Sequence, residues 1–382
     1  MSQGRIQLFK PIYRVDEVLS EIKECLLNGW TGAGFKTLEF EDEFKKYTGL
    51  QHAHFLNSAT SGLHLALEII KRKHKFNNYR VATTPLTFIS TNHAILNSGM
   101  DPRFVDIDLS LCMDAEKLEY ILKYNTFAAV IFVGIGGNPG SLTEVSRICD
   151  YYKVPLILDA SHMVGTFIDG KHVGNQADFT IFSFQAVKNL STGDGGMICC
   201  KEKRDDTLAR KLSWLGINKD TWNRIKEDEN WDYDVEDVGY KYHGNSIAAS
   251  MGIVGLKYLE DDNSVRRSQR FLYYQHLNTE AYRIVFHPTD YKNRTSSHLF
   301  QVRVLERLRD KIIGYARTHA VELGVHYKVN TAYNMYIRWL GKLPNAEAAS
   351  RELISLPIGV HLHSDDIFKV IEVMNDAWNH LA

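Results

Sequence analysis

The sequence predicts an α/β protein: a large unit built on a mostly parallel sheet with helices on both faces, followed by a smaller α+β unit. Three observations lead there. From about residue 50 to 200, short apolar runs rich in Val, Ile and Phe alternate with helix-periodic stretches, the pattern of a buried parallel sheet. Beyond Gly252 the texture changes to charged helical stretches separated by two short apolar runs. A chain of 382 residues also exceeds what one simple core organises, so a large domain with an N-terminal arm over residues 1–255 and a connector helix with a small domain over 256–382 are expected.

The elements follow in order. His52–Leu56 reads as a strand, and Ser61–Lys73 as a helix with Leu63, Leu67 and Ile70 at helical spacing. Tyr79–Thr84 is strand-like and Phe88–Ser98 helical. Strands are expected over Phe104–Asp106, Ala128–Val133 and Pro155–Asp159, with helices at Ala115–Leu122 and Thr143–Tyr152 between them. Phe179–Cys200 reads as a hairpin whose runs FTIFSF and GGMICC are two more buried strands. Ile253–Tyr282 has the charge pattern of one long helix. Leu299–Val304 and Val325–Tyr327 are short strand candidates among helices at Arg307–Leu323, Ala346–Leu353 and Asp365–Leu381. The polar, aromatic stretch Gly216–Tyr233 is weakly periodic, and loops of that length are often functional.

Composition narrows the function. Lys and Arg number 45 against 46 Asp and Glu, so no strong field draws the chain toward nucleic acid or a membrane surface. Any anion it binds must be held by a local site. The start MSQGRIQLFK lacks the apolar segment of a secretory signal, and the apolar stretch Phe127–Ile135 is too short to span a bilayer. Cys25, Cys112, Cys149, Cys199 and Cys200 are scattered, with no CxxC. That is the usage of reduced thiols in a cytoplasmic protein, not of a disulfide frame or a zinc site.

Three motifs carry chemistry. Asn57-Ser58-Ala59-Thr60-Ser61-Gly62 joins a strand to a helix. Small and hydroxyl residues there let backbone N–H groups approach an anion at the positive end of the helix, although the same residues also serve as ordinary N-caps. Asp159 closes the run Val154–Leu158, at the carboxyl end of a strand where α/β sheets bind ligands; it too has a capping alternative. Lys188 lies between the apolar Phe182–Phe184 and the glycine-rich Gly193-Asp194-Gly195-Gly196. Desolvation there would lower its pKa and favour imine chemistry, whereas most loop lysines simply reach solvent. Taken together the three are the set that pyridoxal phosphate (PLP) needs: an anion cradle, an acid for the pyridine nitrogen and a lysine for the aldehyde.

On these residues the chain resembles the DegT/StrS-type sugar aminotransferases, PLP enzymes of the aspartate-aminotransferase fold. The likeness runs from Leu8 to Ala377. It rests on Gly29-Trp30-Thr31-Gly32, Asn57–Leu67, Pro85-Leu86-Thr87-Phe88, Phe104–Asp108, Asp159–Gly165, Phe182–Gly196, Gly239-Tyr240-Lys241-Tyr242, Gly324-Val325-His326-Tyr327 and Ser355-Leu356-Pro357. The resemblance implies that Lys188 carries the cofactor and Asp159 pairs with its pyridine nitrogen. Ala59, Thr60 and Ser183 would hold the phosphate and Phe88 would stack on the ring. His162 stands where the family usually has Gln or Glu, beside the 3-oxygen. Lys241 stands where the family often sends an Asn to the partner's phosphate, which implies a homodimer with shared active sites. Trp30, Thr31, His326, Tyr327 and the stretch Lys219–Arg224, with Arg224 a candidate for a nucleotide diphosphate, fall in segments that face the substrate. The implied reaction moves an amino group from glutamate to a nucleotide-linked keto-sugar. A PLP-dependent dehydratase of the same fold and an aminocyclitol aminotransferase are the alternatives; the dehydratases carry His where Lys188 stands.

Overall fold

Seven strands form the central sheet: β1 (Ala53–Leu56), β2 (Arg80–Thr83), β3 (Asp101–Phe104), β4 (Ala129–Val133), β5 (Leu156–Asp159), β8 (Phe179–Ser183) and β9 (Gly196–Cys200). Their order is β1-β9-β8-β5-β4-β2-β3. The pairs from β8 to β3 are parallel, and β9 alone runs against the rest because it returns from β8 as a hairpin. The computed structural model describes residues 4–73, 79–218, 233–285, 293–339 and 341–382.

Both faces of this sheet are buried, which is why its strands read as continuous apolar runs. Ile131, Ile157, Ile181 and Ile198 point to one face, against Leu63, Leu67 and Ile70 of α3 (Ala59–Lys73). Their chain neighbours Phe132, Leu158, Phe182 and Met197 point to the other, as the two-residue strand period requires. There they meet Phe40 and Phe44 of α2 (Phe35–Thr48). The helix α1 (Val15–Leu27) precedes α2, and the linking helices are α4 (Ile89–Asn97), α5 (Ala115–Tyr124), α6 (Leu142–Tyr152) and α7 (Lys203–Ser213). α5 starts where Asp114 accepts from the N–H groups of Glu116 and Lys117, a cap worth about 1 kcal/mol. A two-stranded ribbon, β6 (Phe167–Ile168) and β7 (Lys171–His172), follows β5.

The long helix α8 runs over Ser246–His276. It starts seven residues before the expected Ile253, because the Asn245 side chain caps it by accepting from Ala248 N–H at 2.9 Å. It stops before Tyr282 because the Asn278 side chain takes the N–H groups of Glu280 and Ala281 and turns the chain. Residue 255 falls inside this helix. Beyond it, β10 (Arg283–Ile284), β11 (Phe300–Arg303) and β12 (Leu353–Leu356) make an antiparallel sheet. The helices α9 (Glu306–Thr318), α10 (Pro344–Glu352) and α11 (Ser364–Leu381) accompany it. Phe300, Val302, Ile312, Ile354, Val370 and Met374 form its separate core.

Two strands differ from expectation. β3 lies at Asp101–Phe104, not Phe104–Asp106, and contains Pro102. A proline argues against a central strand, but β3 is the sheet's edge, where its missing donor costs nothing. Val325–Tyr327 is no strand: Gly324 makes a single bridge to Ser355, and the chain then turns away. β12 takes its place beside β11. Among the described residues no helix is long and apolar enough to cross a membrane, and all five cysteines are buried thiols.

Candidate active site

The carboxyl ends of the parallel strands open into a cavity of about 390 Å³. It is lined by Ala59, Thr60, Phe88, Asp159, His162, Ser183, Lys188, His326 and Tyr327, nine of the thirteen site residues expected from sequence. β5 ends at Asp159 and its parallel neighbour β8 ends at Ser183, so both side chains emerge side by side. The β8–β9 loop brings Lys188 back to the same opening. This loop is closed by Phe184 N–H donating to Gly195 O (2.9 Å) and Thr192 N–H to Phe184 O (2.8 Å). Gly195 has no room for a side chain there, since a Cβ would lie 2.3 Å from Thr192 Oγ1.

The cavity floor is an anion cradle. α3 begins at Ala59, and Ser58 satisfies its third and fourth donors, Ser61 N–H through its hydroxyl and Gly62 N–H through its carbonyl. Among the described residues no protein group accepts from the N–H of Ala59 or Thr60. These are the donors a phosphate takes at a helix N-terminus. Gly196 makes the close packing possible: a Cβ there would stand 2.4–2.6 Å from Ser58 and Ala59 backbone atoms.

Lys188 is half-buried, and burial pushes its ammonium down to about 8 against the opposing pull of Asp159. Asp159 is buried; Thr91 Oγ1 donates to its Oδ2 at 2.8 Å, while the hydroxyl and N–H of Ser161 donate to its Oδ1 at 2.6 and 3.1 Å. His162 Nδ1 accepts from Gly136 N–H at 3.1 Å, so a neutral ring carries its proton on Nε2. That nitrogen lies 3.3 Å from Tyr327 Oη. Burial, Lys188 and His326 hold His162 well below the usual histidine range. His298 packs on it with ring centroids 4.3 Å apart. Its Nδ1–H donates to Asn189 Oδ1 at 2.8 Å, an oxygen identified as the acceptor because Asn189 Nδ2 donates to Asn263 and Ser296. Phe88 stands exposed at the rim, 6.0 Å from the Tyr327 ring.

Trp30, Thr31 and Lys241 are not among the residues lining this cavity. They line a second one of about 480 Å³ with Trp214, His243 and Arg210. Lys241 Nζ sits 3.5 Å over the Trp214 ring, and Trp30 Nε1 donates to Ala33 O at 2.8 Å. Arg224, with the rest of Lys219–Arg224, lies outside the described residues. Residues that sequence reading missed are Thr91, Ser161, His298 and Asn189. Thr91 was findable, since it follows Phe88 by three positions on one helix face, and Ser161 sits at the spacing of a local Asp–Ser turn. Nothing local marked His298.

A helix N-terminus with two open donors, a buried acid and a desolvated lysine in one crevice fit PLP, and the fold that sets them at the carboxyl ends of parallel strands is that of a PLP-dependent transferase. A profile of the DegT/DnrJ/EryC1/StrS aminotransferase family matches residues 13–375. Over 372 residues, 94% of each chain, the sequence is 32% identical to a UDP-4-amino-4,6-dideoxy-N-acetyl-β-L-altrosamine transaminase of Campylobacter jejuni. It is 33% identical over 374 residues, again 94% of each, to the spore coat polysaccharide biosynthesis protein SpsC of Bacillus subtilis. The aminotransferase TlmJ of Streptoalloteichus hindustanus superposes with a TM-score of 0.90 at 28% identity, covering 99% of this chain and all of the other. The chain belongs to the DegT/DnrJ/EryC1/StrS aminotransferase family and is a PLP enzyme.

Proposed function

We propose that this PLP-dependent sugar aminotransferase moves an amino group from glutamate to a nucleotide-linked keto-sugar, a 4-keto-6-deoxyhexose, through Lys188 and Asp159. The observation that carries the reading is the meeting of Lys188, Asp159 and the α3 N-terminus in one cavity. PLP supplies the electron sink that makes a proton on the neighbouring substrate carbon removable. Lys188 then acts as the base: with its ammonium near 8, it takes and returns that proton close to neutral pH. Asp159 would pair with the pyridine nitrogen, and the neutral His162 would offer its Nε2–H to the 3-oxygen. Ala59, Thr60 and Ser183 would hold the phosphate, and Phe88 would cover the ring.

The nucleotide-sugar substrate follows the C. jejuni relative, whose name is that of a UDP-sugar transaminase; glutamate as donor follows the family resemblance. His326 and Tyr327 border the cavity on the side of the small sheet and form the sugar's wall. The second cavity supports a homodimer. Lys241, Trp30 and Thr31 line a surface of their own, so they serve an active site only if that surface faces the partner's cavity. Incubation with glutamate and a panel of nucleotide-linked keto-sugars, read by mass, tests the proposal. Exchange of a carbonyl oxygen for an amine on a 4-keto sugar is expected. Amination of a free keto-cyclitol alone would replace this reading with the cyclitol one.

A further inference from the structure

The geometry points to Thr91 as a positioning residue that fixes the plane of the Asp159 carboxylate, with Thr87 behind it as the donor that sets its direction. This rests on the proposed role of Asp159. The torsion that swings an aspartate carboxylate is broad and soft, so the orientation of a buried acid is set by its donors. On one side Ser161 supplies both N–H and O–H to Oδ1. On the other, Thr91 Oγ1 donates to Oδ2 at 2.8 Å. Thr91 has one hydroxyl proton, spent on Asp159. Its contact with Thr87 Oγ1 at 2.9 Å is therefore a bond in which Thr87 donates. Both threonines are buried; Thr87 borders the cavity, and Thr91 lies behind it.

The backbone explains why these threonines are where they are. Phe88 is the N-cap of α4, and Thr91 comes three residues later on the same face. One helical turn thus presents the ring at the cavity rim and the hydroxyl to the acid. The Pro85–Thr87 turn before it is clamped from the small-sheet side of the molecule: Asn330 N–H donates to Pro85 O (2.8 Å) and Asn330 Nδ2 to Thr87 O (2.9 Å). Asn330 follows Tyr327 by three residues, so the segment that borders the substrate space also holds the start of this relay.

The test compares Thr91→Val, which keeps shape and drops the hydroxyl, with Thr91→Ser, which keeps the hydroxyl. Thr87→Val and Asp159→Asn serve as references. The readouts are the absorption spectrum of bound PLP titrated with pH in the absence of substrate, and the cofactor's dissociation constant. Thr91→Val is expected to move the spectral midpoint by about half a pH unit or more, a threefold change in the protonation equilibrium. Thr91→Ser is expected to match the wild type, and Thr87→Val to shift the midpoint less but in the same direction, which keeps the question answerable should Thr91→Val not fold. A wild-type midpoint in both valine variants, beside a shifted one in Asp159→Asn, overturns the relay and leaves Asp159 in place. An equal loss in Thr91→Ser and Thr91→Val assigns Thr91 to packing and overturns it as well. A wild-type midpoint in Asp159→Asn itself removes the acid's role, and the relay with it.

Discussion

Gly136 N–H donates to His162 Nδ1 at 3.1 Å, and this one bond decides what His162 shows the cavity. A neutral imidazole that accepts at Nδ1 must donate at Nε2. Glutamine, which with Glu is the residue implied here by the family resemblance, also presents an N–H donor. His162→Gln is therefore expected to retain activity within severalfold. His162→Leu, which fills the space with no donor, should lose about ten- to a hundredfold, the value of one hydrogen bond to a charged group. Steady-state rates of the two variants check this, and equal losses would show that His162 acts only by bulk.

Acid should destabilise the apo-protein before its carboxylates titrate. Burial lowers His162 and His298 well below 6.5, His326 to about 4 and His172 to about 3. The unfolded chain therefore binds protons between pH 6.5 and 5 that the folded one refuses, and stability falls as pH falls through that window. Each such histidine contributes a slope of up to about 1.4 kcal/mol per pH unit. Urea unfolding at pH 7, 6 and 5 is expected to show uptake of more than one proton on unfolding. A flat profile across these pH values would mean that the buried histidines are charged in the fold.

Lys188 offers its own titration. With the ammonium held down to about 8, about a quarter of the side chain is free amine at pH 7.5, against about a thousandth for an ordinary lysine. Capture of added PLP by apo-protein should accelerate with pH to a midpoint near 8, and borohydride should then fix the cofactor to the peptide spanning Phe184–Asn189. Lys188→Ala should bind PLP without borohydride fixation and lose several orders of magnitude in turnover, because base and covalent partner vanish together. A capture midpoint near 10, or fixation on another peptide, would assign the chemistry elsewhere.

The sequence was most legible where one local force acts. α3, α6 and the strands β4, β5, β8 and β9 lie within a residue or two of their expected bounds, because apolar spacing alone specifies them; the short ribbon of β6 and β7 was not anticipated. Asp159 and Lys188 were legible as candidates because one ends an apolar run and the other lies between an apolar run and a glycine-rich turn, and the fold brings both to one cavity. The misreadings came from tertiary context. Pro102 hid β3 until the sheet order made it an edge, and the Asn245 cap, a side-chain contact, set the start of α8. The three-residue run at Val325–Tyr327 has strand-like composition, yet the isolated bridge to Ser355 is made by Gly324, before the run, and the next residues turn to the cavity. The relay from Thr87 to Asp159 spans 72 positions and leaves no local pattern beyond one helical turn.

The proposed sharing of active sites across a dimer yields the sharpest prediction. Lys241 is exposed, its ammonium 3.5 Å from the Trp214 ring centroid and its charge disfavoured by partial burial. The contact is a cation–π pair, and it leaves the ammonium at the mouth of the second cavity. If that ammonium meets the phosphate in the partner's cavity, Lys241→Ala should weaken PLP retention and leave the dimer intact. Mixed dimers then separate action within a chain from action across the interface. In a dimer of one Lys188→Ala chain and one Lys241→Ala chain, the Lys241→Ala chain keeps its own Lys188 and receives the intact Lys241 of its partner. Random reassortment of equal amounts should therefore restore about a quarter of the wild-type sites at limiting PLP. The other site of the same dimer lacks both lysines and stays silent. Should Lys241 serve its own chain, every site in the mixture lacks one lysine or the other, and mixing restores nothing. Activity and cofactor content of the reassorted sample, measured against each parent variant, decide between the two.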